Sequence, residues 1–146
     1  MKKDSSGRFL LLSAAAFTAF GGYLFDVNKT HLFNPKWTPH AKFHDAMTIL
    51  LGSLLGGASL YLLRKNDKHS LRQLRWGAIL PAFFWSAQAG AFAFPGAKGL
   101  EAEFPELVPQ VGPIRLNEGA ISITMLAVIG LGYALAKSPN QENKKA

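Results

Sequence analysis

No cysteine occurs in the chain, which excludes disulfides, thiolate metal sites and cysteine nucleophiles together and says nothing about compartment. Charge is missing from four long stretches. Phe9–Phe25, Ala46–Leu63, Gly77–Pro95 and Gly119–Ala136 hold 17 to 19 residues each without an Asp, Glu, Lys or Arg. Serine is missing from the most polar connecting segment, so a serine triad has no foothold there, and the serines inside the apolar runs read as packing residues. No internal repeat is visible, and the polar tail 137–146 is the only biased segment.

What is present follows from those gaps. Half of the 146 residues are apolar and 12% are aromatic, too rich a mixture for disorder and enough for one domain. A bilayer core of about 30 Å is crossed by roughly 20 helical residues. Soluble core helices would break such runs with polar residues at helical period. The expected fold is therefore all-α: a single integral membrane domain over residues 1–146, built as a bundle of four transmembrane helices near 9–25, 39–63, 77–95 and 118–136.

The net charge of +7 is distributed by side rather than spread. Lys2, Lys3 and Arg8 precede the first helix. Arg64, Lys65, Lys68, Arg72 and Arg75 fall between the second and third, and Lys137, Lys144 and Lys145 follow the fourth. Eleven of the sixteen basic residues thus fall on one side, with six of the nine acids on the other. The positive-inside rule puts both termini in the cytoplasm and two longer loops on the periplasmic, extracytoplasmic or lumenal side. Basicity then reports topology and attraction to membrane lipids; no aromatic-basic interleaving points to nucleic acid. The basic start followed by an apolar run also fits a cleavable signal peptide, but Tyr23-Leu24-Phe25 continue the run without a clean cleavage site, so an uncleaved first helix is expected.

The densest chemistry lies in the first outer loop, Asp26–His44, nineteen residues that hold three of the four histidines. Thr38-Pro39 is a helix-start signal, threonine as N-cap and proline where its missing N–H costs nothing. That places His40 and His44 on one face of the second helix, four residues apart. Two imidazoles so spaced can bind one metal ion, zinc or iron if a carboxylate joins them, with His31, Asp26 or Glu118 as the third ligand. Three readings stay open for the cluster: a metal site on His40 and His44, a metal-free acid–base site, and interfacial anchoring by Phe33, Trp37 and Phe43 in an aromatic belt. His69, in the basic cytoplasmic loop, is expected to be merely solvated. Asn28-Lys-Thr30 fits a glycosylation acceptor, read as coincidence so close to a membrane.

Gln88, costly in lipid, is expected to face the bundle interior, either bonding another helix or lining a cavity. Gly52 and Gly56 have the spacing of a close helix–helix contact. The second outer loop, 96–117, carries three glutamates and three prolines and is long enough to be a lid or a binding element. Asn117 should cap the fourth helix and place Glu118 in its first turn.

The pattern His31-Leu-Phe-Asn-Pro-x-Trp-x-Pro-His-Ala-x-Phe-His44 resembles a motif of a family of small, functionally uncharacterised four-helix membrane proteins of bacteria and fungi. The resemblance covers the first outer loop and the start of the second helix and implies the topology. A looser likeness, in size and in a polar cavity open to one leaflet, is to DoxX-like proteins and the sterol-isomerase-type membrane fold.

The function expected is that of a membrane enzyme acting on a lipid-like or small hydrophobic molecule at the outer mouth of the bundle. His40, His44, His31 and Glu118 would be the catalytic residues, with Asn34, Trp37, Asp26, Asn28 and Gln88 holding substrate. The alternative is a non-catalytic subunit, or a small-molecule or metal-binding membrane protein, with an oligomer open in either case. A transporter fits less well, because the middles of the helices carry no charge.

Overall fold

The computed structural model describes residues 3–64 and 70–137. Lys2, Lys65, Lys68, His69, Lys144 and Lys145 lie outside them. Four helices account for most of the chain: α1 (Lys3–Phe25), α2 (Pro39–Arg64), α3 (Leu71–Ala91) and α4 (Glu118–Ala136). Between α3 and α4 lie two single-turn 3-10 helices, Leu100–Ala102 and Pro105–Leu107. A minimal antiparallel hairpin follows, β1 (Gln110–Val111) and β2 (Ile114–Arg115), pairing Gln110 with Arg115 and Val111 with Ile114. Gly112 makes its turn at φ 58°, a backbone conformation that suits glycine.

Local chemistry sets three of the helix starts. The Thr38 hydroxyl accepts from Ala41 N at 3.2 Å, so α2 begins at Pro39 as expected. The Asn117 carboxamide oxygen accepts from Gly119 N and Ala120 N, which begins α4 at Glu118. Ser70 accepts from Gln73 N and begins α3 at Leu71, six residues before the start read from the apolar run. Arg72 and Arg75 therefore stand in the first turns of α3 rather than in a loop, and the helix ends at Ala91 rather than near Pro95.

A second correction applies to α1, which starts at Lys3 instead of Phe9. Its polar first turns are held by neighbours. The backbone at Gly7 lies so close to Gly132 and Ala136 of α4 that a Cβ there would strike main-chain atoms. Arg8 reaches across to donate from Nη2 to the Leu63 carbonyl at 2.9 Å, satisfying a free acceptor at the end of α2. Those contacts put the start of α1 beside the ends of α2 and α4.

Each helix packs along its two neighbours, α1 against α2 and α4, and α3 against the same two, closing an antiparallel ring. Small residues let α1 and α2 approach: a Cβ at Gly56 would collide with Ala15 and Ala19 backbone, and one at Gly52 would press on the Thr18 carbonyl. The core is Leu11, Ala14, Ala15, Leu63, Leu74, Ala78, Trp85, Ile129 and Ala136. Polar side chains sit inside it in satisfied pairs. Trp85 Nε1 donates to Thr18 Oγ1 at 2.8 Å, Thr18 donates to Ala14 O, and Ser59 donates to Gly77 O.

The outside is the apolar side. Phe9, Phe20, Leu24, Leu54, Ile123 and Leu131 are all more than half exposed, the reverse of a water-soluble bundle, where large apolar side chains turn inward. Among the described residues three helices, α1, α2 and α4, are long and apolar enough to cross a membrane. With Arg72, Gln73 and Arg75 in its first turns, α3 is less apolar.

Candidate functional site

The connection from α1 to α2 is a tightly wound cap rather than an open loop. Its first turns return onto α1: Asp26 N bonds Gly22 O, and Leu32 N bonds Asp26 O. The Asn28 carboxamide donates to Phe25 O and accepts from both the amide and the hydroxyl of Thr30, at 2.7 and 2.6 Å. Asn34, only 2% exposed, donates to Thr30 O and accepts from Lys36 N. Both asparagines thus direct their polar atoms into the loop itself, a positional role that their residue type alone does not reveal.

This winding presents His31 to Asp26. Nε2 of the imidazole stands 3.9 Å from Asp26 Oδ1, the two side chains 20% and 27% exposed. The other ring nitrogen, Nδ1, is 2.8 Å from Thr30 Oγ1. The Thr30 proton goes to Asn28 Oδ1, so Nδ1 must carry the hydrogen of its own contact and Nε2 is left facing a carboxylate. Trp37 closes edge-on over the imidazole, ring centroids 5.6 Å apart.

Charge converges on the same spot. Burial raises the Asp26 pKa from 3.8 to about 6; His31 opposes the rise, while Asp45 in α2 and Glu118 at the start of α4 add to it with like charge. A carboxyl poised near neutrality beside an imidazole can exchange a proton at physiological pH. One oxygen of Asp45, Oδ2, is shut away from solvent without a hydrogen-bond partner.

Glu118 has a second task. Its carboxylate accepts from Leu100 N at 3.1 and 3.2 Å, and Asn117 donates to Glu101 Oε1 at 2.8 Å. Both acids crowd Gly99, where a Cβ would strike their oxygens. The 96–117 segment is therefore strapped to the top of α4 by the residues that begin that helix.

His40 and His44 occupy the exposed face of the first turns of α2, Nε2 to Nε2 at 3.1 Å. Phe43 stacks on the His40 ring and meets the His44 ring edge-on. Among the described residues no group of three or more His, Asp or Glu side chains is placed to hold a metal ion. Gln88 is half-buried on α3. Cavities of about 330 and 420 Å³ open at the other end of the bundle, one lined by Leu62, Ser70, Arg72, Gln73 and Trp76, the other by Gly57, Leu60, Tyr61 and Arg64.

Sequence reading missed Asp45 and Thr30. Asp45 follows His44 directly, yet one residue turns about 100° round a helix, enough to take it from the exposed face to the Asp26 side. A lone carboxylate in the opening turns of an otherwise apolar helix was the available signal.

Fold and site together define a class: an all-α bundle with three helices of membrane-crossing length and a carboxylate–histidine cluster at one end. The chain belongs to DUF6640, a family of unknown function, whose model matches residues 11–144. No curated protein and no solved structure matches it significantly, so the likeness to DoxX-like and sterol-isomerase-type proteins gains no support.

Proposed function

We propose that this is a four-span membrane protein with cytoplasmic termini, whose extracytoplasmic head holds a proton-exchanging site that acts on a lipid-like or small hydrophobic molecule. The proximity of Asp26, Asp45 and Glu118 brings the starts of α2 and α4 to one end, so α3 must run back across whatever layer those two helices cross. Arg8, Arg64, Arg72, Arg75 and Lys137 then stand at the opposite end, which the positive-inside count over the whole sequence assigns to the cytoplasm, against Lys29, Lys36, Lys42, Lys98 and Arg115 on the head side.

One observation carries the chemical reading: Asp26 and His31 face each other, with the carboxyl raised to about 6. The Asp26 carboxyl can give its proton to, or recover it from, a polar group of a bound molecule, with His31 beside it. Asp45 and Glu118 favour the protonated carboxyl by like charge, and Trp37 supplies an apolar wall.

The test is recovery of bound apolar molecules, by mass spectrometry, from protein purified gently between pH 5 and 8. The reading predicts a copurifying ligand, or its reaction product, whose amount changes around pH 6 and falls sharply in Asp26→Asn and His31→Gln. Recovery indifferent to pH and to both substitutions defeats it. A non-catalytic membrane subunit is the second reading, favoured by the inward use of Asn28 and Asn34 to build the loop. A ligand recovered unchanged would point to that reading.

A further inference from the structure

We infer that His40 and His44 form a two-histidine clamp for a divalent transition-metal ion, separate from the Asp26–His31 pair. Both rings turn their Nε2 atoms toward each other at 3.1 Å. In neutral imidazoles that approach is favourable only with something electropositive between the lone pairs, either one shared hydrogen or one cation. A metal–nitrogen bond of about 2.0–2.1 Å lets two nitrogens at this spacing share one ion with an angle of roughly 100° at the metal, close to tetrahedral. The i and i+4 positions of a rigid helix present both ligands without reorganisation.

Phe43 limits the ring orientations, stacking 6.2 Å from His40 and lying edge-on at 5.6 Å to His44.

His31 takes no part: one of its nitrogens is engaged with Thr30 and the other faces Asp26. The remaining coordination positions are therefore open to water or to an oxygen donor from outside the chain, since both histidines are exposed. Imidazole nitrogen with open positions suits zinc, copper or nickel rather than magnesium or calcium. The chemistry is that of an exchangeable site, loaded from the solution the head faces, and not of a buried structural metal.

The experiment uses tag-free, full-length protein in detergent, with zinc as the probe ion, titrated by calorimetry at a pH above the histidine range. Expected is one zinc per chain with a dissociation constant in the micromolar range. His40→Gln and His44→Gln should each weaken it about tenfold or more, while His31→Gln leaves it unchanged. Both rings are exposed, so the variants should fold, and an unchanged melting temperature without zinc confirms it. Zinc should raise the wild-type melting temperature and not that of the double variant. Millimolar binding in the wild type, or micromolar binding that survives the double substitution, overturns the proposal. So does equal weakening by His31→Gln.

Discussion

The indole N–H of Trp85 donates to the hydroxyl of Thr18 over 2.8 Å, joining α3 to α1 in the middle of the bundle. Replacing Thr18 by Val preserves the shape but leaves a buried donor without an acceptor, at a cost of about 1–3 kcal/mol. Thr18→Ser, which keeps the hydroxyl, should recover most of that loss. Thermal unfolding in detergent, followed by Trp fluorescence, distinguishes the two. Equal destabilisation by both would assign the effect to the lost methyl group instead.

Gly56 and Gly57 are neighbours with opposite expectations. A methyl group at Gly56 meets the backbone of Ala15 and Ala19, whereas one at Gly57 meets open space. Gly56→Ala should force α1 and α2 apart and lose about 1–3 kcal/mol. Gly57→Ala should be neutral or mildly stabilising. Melting temperatures of the two variants, measured side by side, check the contact.

Asn34 bridges Thr30 O and Lys36 N from a buried position. Asn34→Ala strands both groups and should destabilise the protein by roughly 1–3 kcal/mol. It should also loosen His31, which hangs from the same turn. Hydrogen exchange at Lys36 and the proton resonances of the His31 ring report the two effects separately.

The raised pKa of Asp26 carries a definite sign. Its folded value of about 6 lies above the ordinary 3.8, so between those values the native state keeps a proton that the unfolded chain has released. The stabilisation is complete below about pH 4 and disappears as pH rises through about 6. For a partly exposed group the amount is on the order of 1 kcal/mol after screening by water. Asp26→Asn should flatten the stability profile across that window. An identical slope in the variant would contradict the assignment.

Glu118 ties Leu100 to the top of α4. Glu118→Ala should therefore raise hydrogen exchange at Leu100 and its neighbours while leaving exchange in the middle of α4 unchanged. Protection at Leu100 that survives the substitution would show that the strap is held elsewhere.

Helix number and the starts of α2 and α4 were legible because Thr38-Pro39 and Asn117 state their capping chemistry within a few residues. The starts of α1 and α3 were not. An apolar run measures how much of a helix suits lipid, not how far the helix extends, and the turns around Lys3–Arg8 and Leu71–Arg75 are polar. Gly7 and Arg8 make their contacts with residues more than fifty positions away, which no local pattern encodes. The head was recognisable by its density of histidine and asparagine, but not its pairings. Asn28 and Asn34 looked like ligand donors and proved to bond their own loop. His31, expected beside the α2 histidines, faces Asp26 instead, because the Asn28–Thr30 turn decides where its ring points.

The more polar opening of α3 has a consequence for how the chain is made. The other three helices are long and apolar enough to cross a membrane, whereas α3 has arginines at its start and Pro81 within it. It packs between α2 and α4, and its Trp85 finds in Thr18 of α1 a hydrogen-bond partner that lipid cannot supply. On the four-span proposal its insertion should therefore be conditional, completed only when α4 has emerged from the ribosome, and a nascent chain ending before Glu118 should hold α3 short of its final place.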